Sequence, residues 1–220
     1  LGMVPLAKIS FVMETSANHE VLQNGDVLLR VESLEAPRMG QLRNYLAIQP
    51  DGKMDISVLR DGKPTEITAE LHEGKLGVLL TNALDTPIFA QPLQETLVEI
   101  DGKLVPVPTA IAGNQLLGGS RFIKAGTAKN QSNVIDWSDL RRTLYEVFSS
   151  QPKIMDRAEI LVQNPTINRE LVTIELSPSS NDIASALQPK FSTALSQQLF
   201  EPVYVVRSSG GNPIKAIQMG

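Results

Sequence analysis

Asn24-Gly25-Asp26-Val27-Leu28-Leu29-Arg30-Val31 opens the stretch that decides the fold. Asn, Gly and Asp make a tight turn, because glycine tolerates positive φ while Asn and Asp bond their own backbone. The apolar run after it is a short buried strand. Met39, Leu42, Tyr45 and Leu46 follow at helical spacing, with Pro37 at the start and Pro50 closing the segment, which predicts a helix of about three turns. Met54, Ile56 and Val58 then alternate with polar residues, Asp61-Gly62-Lys63-Pro64 turns the chain, and Ile67, Ala69 and Leu71 alternate again. That pattern is a β-hairpin with one buried face.

A looser copy of this turn, strand, helix and hairpin runs from Gly118 to Leu176. Gly118-Gly119-Ser120-Arg121-Phe122-Ile123-Lys124 aligns with residues 24–30. Asp136 is placed to cap a helix whose face carries Trp137, Leu140, Leu144, Val147 and Phe148. Ile160 and Val162 lead through Asn164-Pro165 to Leu171-Val172-Thr173-Ile174-Glu175-Leu176. The second copy trails the first by 94 residues at Gly25/Gly119, by 98 at Leu42/Leu140 and by 104 at Ile56/Ile160. The offset grows only in loops, as insertions do, and residues 125–133 read as one such longer, polar loop.

Outside the two copies, residues 6–13 and Leu76-Gly77-Val78-Leu79-Leu80 read as strands, and residues 15–20 as a polar loop or helical turn. Residues 83–95, with Pro87 and Pro92, read as a connector. Leu97-Val98-Glu99-Ile100 and Leu104-Val105-Pro106-Val107, turning at Asp101-Gly102-Lys103, read as the start of the second module. Residues 177–199 read as a polar surface segment with a helix near 183–187. Phe200-Glu201-Pro202-Val203-Tyr204-Val205-Val206 reads as a last strand.

Composition limits the function. The 220 residues are 42% hydrophobic and 20% charged, with a net charge of −4, whereas a nucleic-acid surface needs a clustered basic face. No apolar run reaches the about 18–20 residues needed to cross a bilayer. The chain has no cysteine, which removes disulfides, thiolate zinc sites and thiol nucleophiles. It starts at Leu1, carries no signal peptide and ends without a terminating pattern, so an excised piece of a longer protein is expected. The only histidines, His19 and His72, are each followed by Glu but by no second His one turn on, so a His-Glu-x-x-His zinc helix is absent. No Gly-x-Ser-x-Gly elbow is present, and Ser209-Gly210-Gly211 lies in a flexible tail. Asp26, Asp51, Asp61 and Asp101 each adjoin a glycine, and turn formation accounts for all four.

The run 24–31, the helix start Met39-Gly40-Gln41-Leu42-Arg43 and Ser57-Val58-Leu59-Arg60-Asp61-Gly62-Lys63 together resemble a bacterial PDZ domain. The second copy, with Asp136-Trp137-Ser138-Asp139-Leu140-Arg141-Arg142, resembles another. Such tandems occur in site-2-type intramembrane metalloproteases, and residues 205–217 resemble the stretch that leads from the last such domain back to the membrane. The resemblance implies an α+β, mainly β fold of two PDZ-like, partly open β-barrels capped by helices. They would comprise residues 1–82 and 83–207, with 208–220 as a tail toward a membrane segment. It implies no catalysis in this chain, zinc only in the parent enzyme, and a location on the extracytoplasmic, periplasmic face of a bacterial inner membrane. It implies protein or peptide substrates as partners, held through exposed C-termini, and no nucleic acid.

A PDZ groove takes a peptide as an added strand at a sheet edge beside a helix, with the terminal carboxylate on backbone N–H groups at a glycine turn. The resemblance implies that Leu76, Gly77, Val78, Leu79 and Leu80 form the edge and turn of the first groove, facing Leu42 and Leu46. It implies that Phe200, Val203 and Val205 form the second edge, facing Leu140 and Leu144. Leu1-Gly2-Met3-Val4 competes as an edge strand, and plain core packing is the competing account of each leucine. Two other readings stay open: a PDZ regulatory module of a soluble serine protease, and a protein-interaction adaptor.

Overall fold

A computed structural model describes residues 2–100, 102–114, 116–150, 158–163, 165 and 171–176. There the chain is mainly β with two helices, an α+β architecture of several sheets, none closed into a barrel among the described residues. The first sheet holds β1 (Ala7–Val12), β2 (Val27–Val31), β3 (Leu34–Glu35), β4 (Gly52–Arg60), β5 (Lys63–Leu71) and β6 (Val78–Asn82), in the order β5-β4-β2-β1-β6 with β3 beside β2. Helix α1 (Met39–Ala47) packs Leu42 and Leu46 on one side of this sheet.

The β4–β5 hairpin follows its sequence pattern. Ile67, Ala69 and Leu71 are buried while Glu66, Thr68 and Glu70 are exposed. Asp61 and Gly62 have φ of 50° and 76°, and Arg60 pairs with Lys63 across them. Two left-handed residues in a two-residue loop match the twist of the flanking strands.

The second sheet has β9 (Arg121–Thr127), β10 (Asn130–Asn133), β11 (Ala158–Gln163) and β12 (Leu171–Leu176), in the order β10-β9-β11-β12. Helix α2 (Trp137–Ser150) starts where Asp136 Oδ1 accepts the Asp139 N–H at 2.8 Å. The order repeats β3-β2-β4-β5 of the first sheet. The irregularity repeats too: Leu29 is skipped in the β2–β4 register and Ile123 in the β9–β11 register, 94 residues on. A bulge at the same step of two strands is a structural feature of a duplicated unit. The expectation of a polar loop over 125–133 is corrected: β9 runs on to Thr127 and turns directly into β10. Asn130, Ser132 and Asn133 on this edge strand are exposed, so polarity signals solvent contact there rather than a missing strand.

β7 (Glu95–Ile100) and β8 (Lys103–Pro108) form a separate two-stranded ladder. They do not begin the second module's sheet. The connector is also more than a link. Pro5 pairs with Phe89 and Ile88 with Arg121, so residues 88–89 lie between residues 2–6 and β9.

Residues 2–6 thereby stand against the segment that leads into the second sheet. Met3 packs with Phe89, Phe122, Trp137, Leu140 and Leu144 in the second core. Val4 and Leu6 pack with Val27, Ala36, Ala83 and Ala90 between the two cores. The first module is thus threaded into the second, after its first strand. The physical reason is an edge that must be filled. Residues 2–6 stand beside 88–93 as β6 stands beside β1, since Leu93 N–H donates to Gly2 O at 2.9 Å as Met13 N–H donates to Gly77 O at 3.0 Å.

Candidate functional site

β6 is the edge strand of the first sheet. It pairs on one side with β1, Val12 opposite Val78 and Phe11 opposite Leu79. Met13 N–H donates to Gly77 O and Ala83 N–H to Leu6 O. Backbone groups alternate direction along an antiparallel strand, so Gly77 and Leu79 turn toward β1 and Val78 and Leu80 turn away. No strand covers that outward side among the described residues.

The turn before β6 is held from behind. Gly77 has φ +68°, and a side chain there would overlap the Ser16 hydroxyl. Ser16 Oγ donates to Leu76 O at 3.0 Å. Asn18 is buried and divides its amide: Nδ2 donates to Leu76 O at 2.9 Å and Glu70 O at 2.7 Å, and Oδ1 accepts the Glu70 N–H at 2.7 Å. The carbonyls of the turn are thereby engaged, while the N–H groups of Leu76 and Gly77 have no partner among the described residues. Adjacent free N–H groups beside a left-handed glycine form a concavity for an anion. A depression of about 770 Å³ lies at this turn, lined by Met13, Ser16, Asn18, Leu71, Lys75 and Gly77 among others.

The structure brings one predicted set together. Leu76 is buried, Val78 and Leu80 are half-buried against the first core, and Leu42 and Leu46 are 0% and 5% exposed in that core. These leucines are therefore the packed floor between α1 and β6, with α1 set directly beside the strand. Leu79 points the other way and is 51% exposed. Leu140 and Leu144 are buried in the second core beside Met3. Phe200, Val203 and Val205, with the predicted segments over 177–220, lie outside the described residues.

Residues 2–6 stand beside 88–93 in the position that β6 holds beside β1. Gly2 has φ +86°, and Thr109 fills the space of its missing side chain as Ser16 does at Gly77. Gly2 O accepts from Leu93 and Val4 O from Ala90, so Met3 and Pro5 face away as Val78 and Leu80 do. Two differences follow. Pro5 stands where β6 has Leu80 and supplies no N–H. Residues 2–6 are all buried.

Sequence reasoning missed the supporting residues. Ser16 and Asn18 read only as loop, although small polar side chains that bond backbone were the available signal. Asp26 read as a turn former. It is 1% exposed and accepts a two-pronged hydrogen bond from Arg60, Nε to Oδ1 at 2.8 Å and a terminal nitrogen to Oδ2 at 2.7 Å. That bond, with the Asp26 charge, holds the Arg60 guanidinium above its ordinary pKa. Arg60 also donates to Val21 O, so the pair fixes the turn segment over the hairpin. His19 and His72 are exposed, His72 beside Asp51 at 3.2 Å. Among the described residues, no group of three His, Cys, Asp or Glu is placed to hold a metal ion, and none of their helices is long and apolar enough to cross a membrane.

No protein-family model matches this chain, and no curated protein matches it.

Proposed function

We propose that this chain is a non-catalytic pair of PDZ-like modules, and that the first module binds the C-terminal end of an extended peptide along β6. The observation that carries the proposal is the edge of β6 behind the Gly77 turn, which among the described residues is open, with the N–H groups of Leu76 and Gly77 unengaged there. A peptide strand antiparallel to β6 exchanges hydrogen bonds with Val78 and Leu80. Its carboxylate sits on the turn, and its last side chain reaches the floor of Leu42, Leu46, Val78 and Leu80. Because that floor is packed, binding requires α1 to swing away from β6. Among the described residues the second module shows no matching open edge, because Pro5 interrupts the ladder and residues 2–6 are buried.

In the wider reading, the pair belongs to an intramembrane zinc metalloprotease on the extracytoplasmic side of a bacterial inner membrane, and it controls which substrates reach the protease. The resemblance of residues 24–63, 118–142 and 205–217 supports it. The zinc of such a parent would be held by residues outside this chain, and no step here runs through it. A second reading, exclusion of bulky substrates by rigid mass alone, is favoured by the burial of Leu42 and Leu46, which leaves no open slot between α1 and β6.

Titration of the ¹⁵N-labelled chain with peptides that end in a free apolar carboxylate, and with amidated copies, separates the two. Shifts at Leu76, Gly77 and Val78 for the free acid alone support binding. No shifts at millimolar peptide support exclusion. The flanking coding sequence tests the parent: a His-Glu-x-x-His helix in an apolar segment supports the membrane protease, a soluble triad domain the serine protease, and neither the adaptor.

A further inference from the structure

Ala36, just ahead of α1, has a backbone conformation that its own chemistry does not favour. Its φ is 44°, in the left-handed region that alanine rarely adopts. Pro37 follows it, and a residue before proline is pressed toward extended backbone. Such strain persists only where the surroundings hold it, and it points to sites that move. The Ala36 N–H donates to Leu29 O at 2.7 Å, at the β2 bulge, and Ala36 O accepts the Gln91 N–H at 2.8 Å. The Gln91 side-chain amide donates to Glu35 O at 3.2 Å. The Ala36 side chain is buried in one cluster with Val4, Leu6, Ala83 and Ala90. Helix α1 begins at Met39, and β6 ends at Asn82, next to Ala83. Both walls of the proposed groove therefore run into this cluster. It is closed from the side of the second module: a Cβ on Gly118, which leads into β9, would stand 2.7 Å from the Gln91 amide carbon and 3.0 Å from the Ala36 Cβ.

We propose that residues 36–38 are the hinge on which α1 moves, and that Gln91, seated against Gly118, is a latch through which the second module sets how readily the first one opens. The inference rests on the β6 edge as the peptide site and names the regulation of that site. Gln91 is a positioning residue, acting on the ligand only through α1. Released from Gln91, Ala36 returns to negative φ, which relieves its strain and swings the helix that follows. Hinges are a few element-terminal residues that absorb such a change. The latched state is the closed one, and any shift of the second module that frees Gln91 favours the open one. By linkage, a peptide that holds α1 open loosens Gln91 in turn.

Two variants of the full 220-residue chain act on the latch from opposite sides. Gln91→Met removes the side-chain hydrogen bond and keeps the length of the side chain. Gly118→Ala pushes the Gln91 amide away from within the second module. Hydrogen exchange of the α1 amides, set against those of β4 and β5, reads the latch. Free-acid peptides ending in Val, with amidated copies, read the groove. The expected result is α1 exchange about fivefold faster in each variant, the effect of losing about one hydrogen bond. Exchange in β4 and β5 stays native, because the opening is local. The free-acid peptides bind about fivefold tighter, as the open state is that much more populated. Native α1 exchange in both variants overturns the latch. Exchange that rises alike in α1, β4 and β5 overturns it too, because Gln91 then supports only overall stability. Faster α1 exchange with unchanged peptide affinity overturns the link to the groove. No binding by any chain, variants included, overturns the β6 peptide site, while the exchange result still supports or overturns the latch.

Discussion

The indole N–H of Trp137 donates to the carbonyl oxygen of Thr86 at 2.9 Å. The backbone N–H of Trp137 donates to Leu84 O, two residues earlier in the same turn. The first residue of α2 is thus fastened to the connector, and the ring fits between Phe89 and Phe122, with centroids 5.3 and 5.2 Å away. Trp137→Phe keeps most of the packing and loses the hydrogen bond, so it costs about 1 kcal/mol. Trp137→Ala loses the packing as well and costs about 3–5 kcal/mol. Urea unfolding followed by circular dichroism reads both; equal costs would contradict a separate role for the hydrogen bond.

The Asp26–Arg60 pair is asymmetric in burial: the carboxylate is enclosed and the guanidinium reaches water. Removing the cation strands a buried anion, which costs about 3–5 kcal/mol. Arg60→Met is expected in that range, and Asp26→Ala/Arg60→Met is expected to cost less than the sum of its single changes. Additive costs in a urea double-mutant cycle would contradict a coupled pair.

Gly77 and Ser16 share one space. Gly77→Ala puts a Cβ at positive φ and against the Ser16 hydroxyl, with a cost of about 1–3 kcal/mol. Ser16→Gly in the same chain removes both the hydroxyl and the Cβ that the new side chain would overlap, but not the backbone strain, so part of the loss returns. In the NMR titration, Gly77→Ala also weakens free-acid peptides and leaves the amidated controls unchanged. A variant that binds as the native chain does would remove the turn from the site.

Met3 is fully buried. It lies in the second core, so Met3→Ala is expected to cost about 2–5 kcal/mol. The loss is read by the fluorescence of Trp137, the single tryptophan, which touches that core. A native unfolding midpoint would mean that residues 2–6 do not complete the second module.

The parts legible in the sequence were local. Alternation fixed the β4–β5 hairpin because its buried and exposed faces differ in chemistry, and helical spacing placed Leu42, Leu46, Leu140 and Leu144. The bulge positions needed the structure, because Leu29 and Ile123 look like ordinary strand residues. The threading of one module through the other was not legible either. Residues 2–6 and 88–93 are too short to carry a period, and their pairing spans more than eighty residues. Gly2 and Gly77 held a partial clue, since each follows a leucine, but Leu117-Gly118 shares that pattern. The site was half legible: its leucines read as one groove, whereas the hydroxyl of Ser16 and the amide of Asn18, which hold the turn, carry no periodic signal.

Lys8 on β1 and Asp85 in the connector form an ion pair at 2.5 Å between the first module and the segment that builds the second. The hydrogen bond from Lys8, aided by its charge, holds the Asp85 carboxyl below its ordinary value. A carboxyl whose pKa is lower folded than unfolded binds fewer protons in the folded state. It therefore contributes stability above the unfolded value, about 3.9, and loses it as pH falls through the folded one. The Asp85 side chain is largely exposed, so the contribution is small and salt-sensitive. Asp85→Asn is expected to lower the urea midpoint at pH 6 and to have a progressively smaller effect as pH falls below the unfolded value. At pH 6, half-molar salt narrows the gap. A difference between the two chains that is constant from pH 6 to pH 2.5 would show that Asp85 acts through packing or its own turn geometry rather than through its charge.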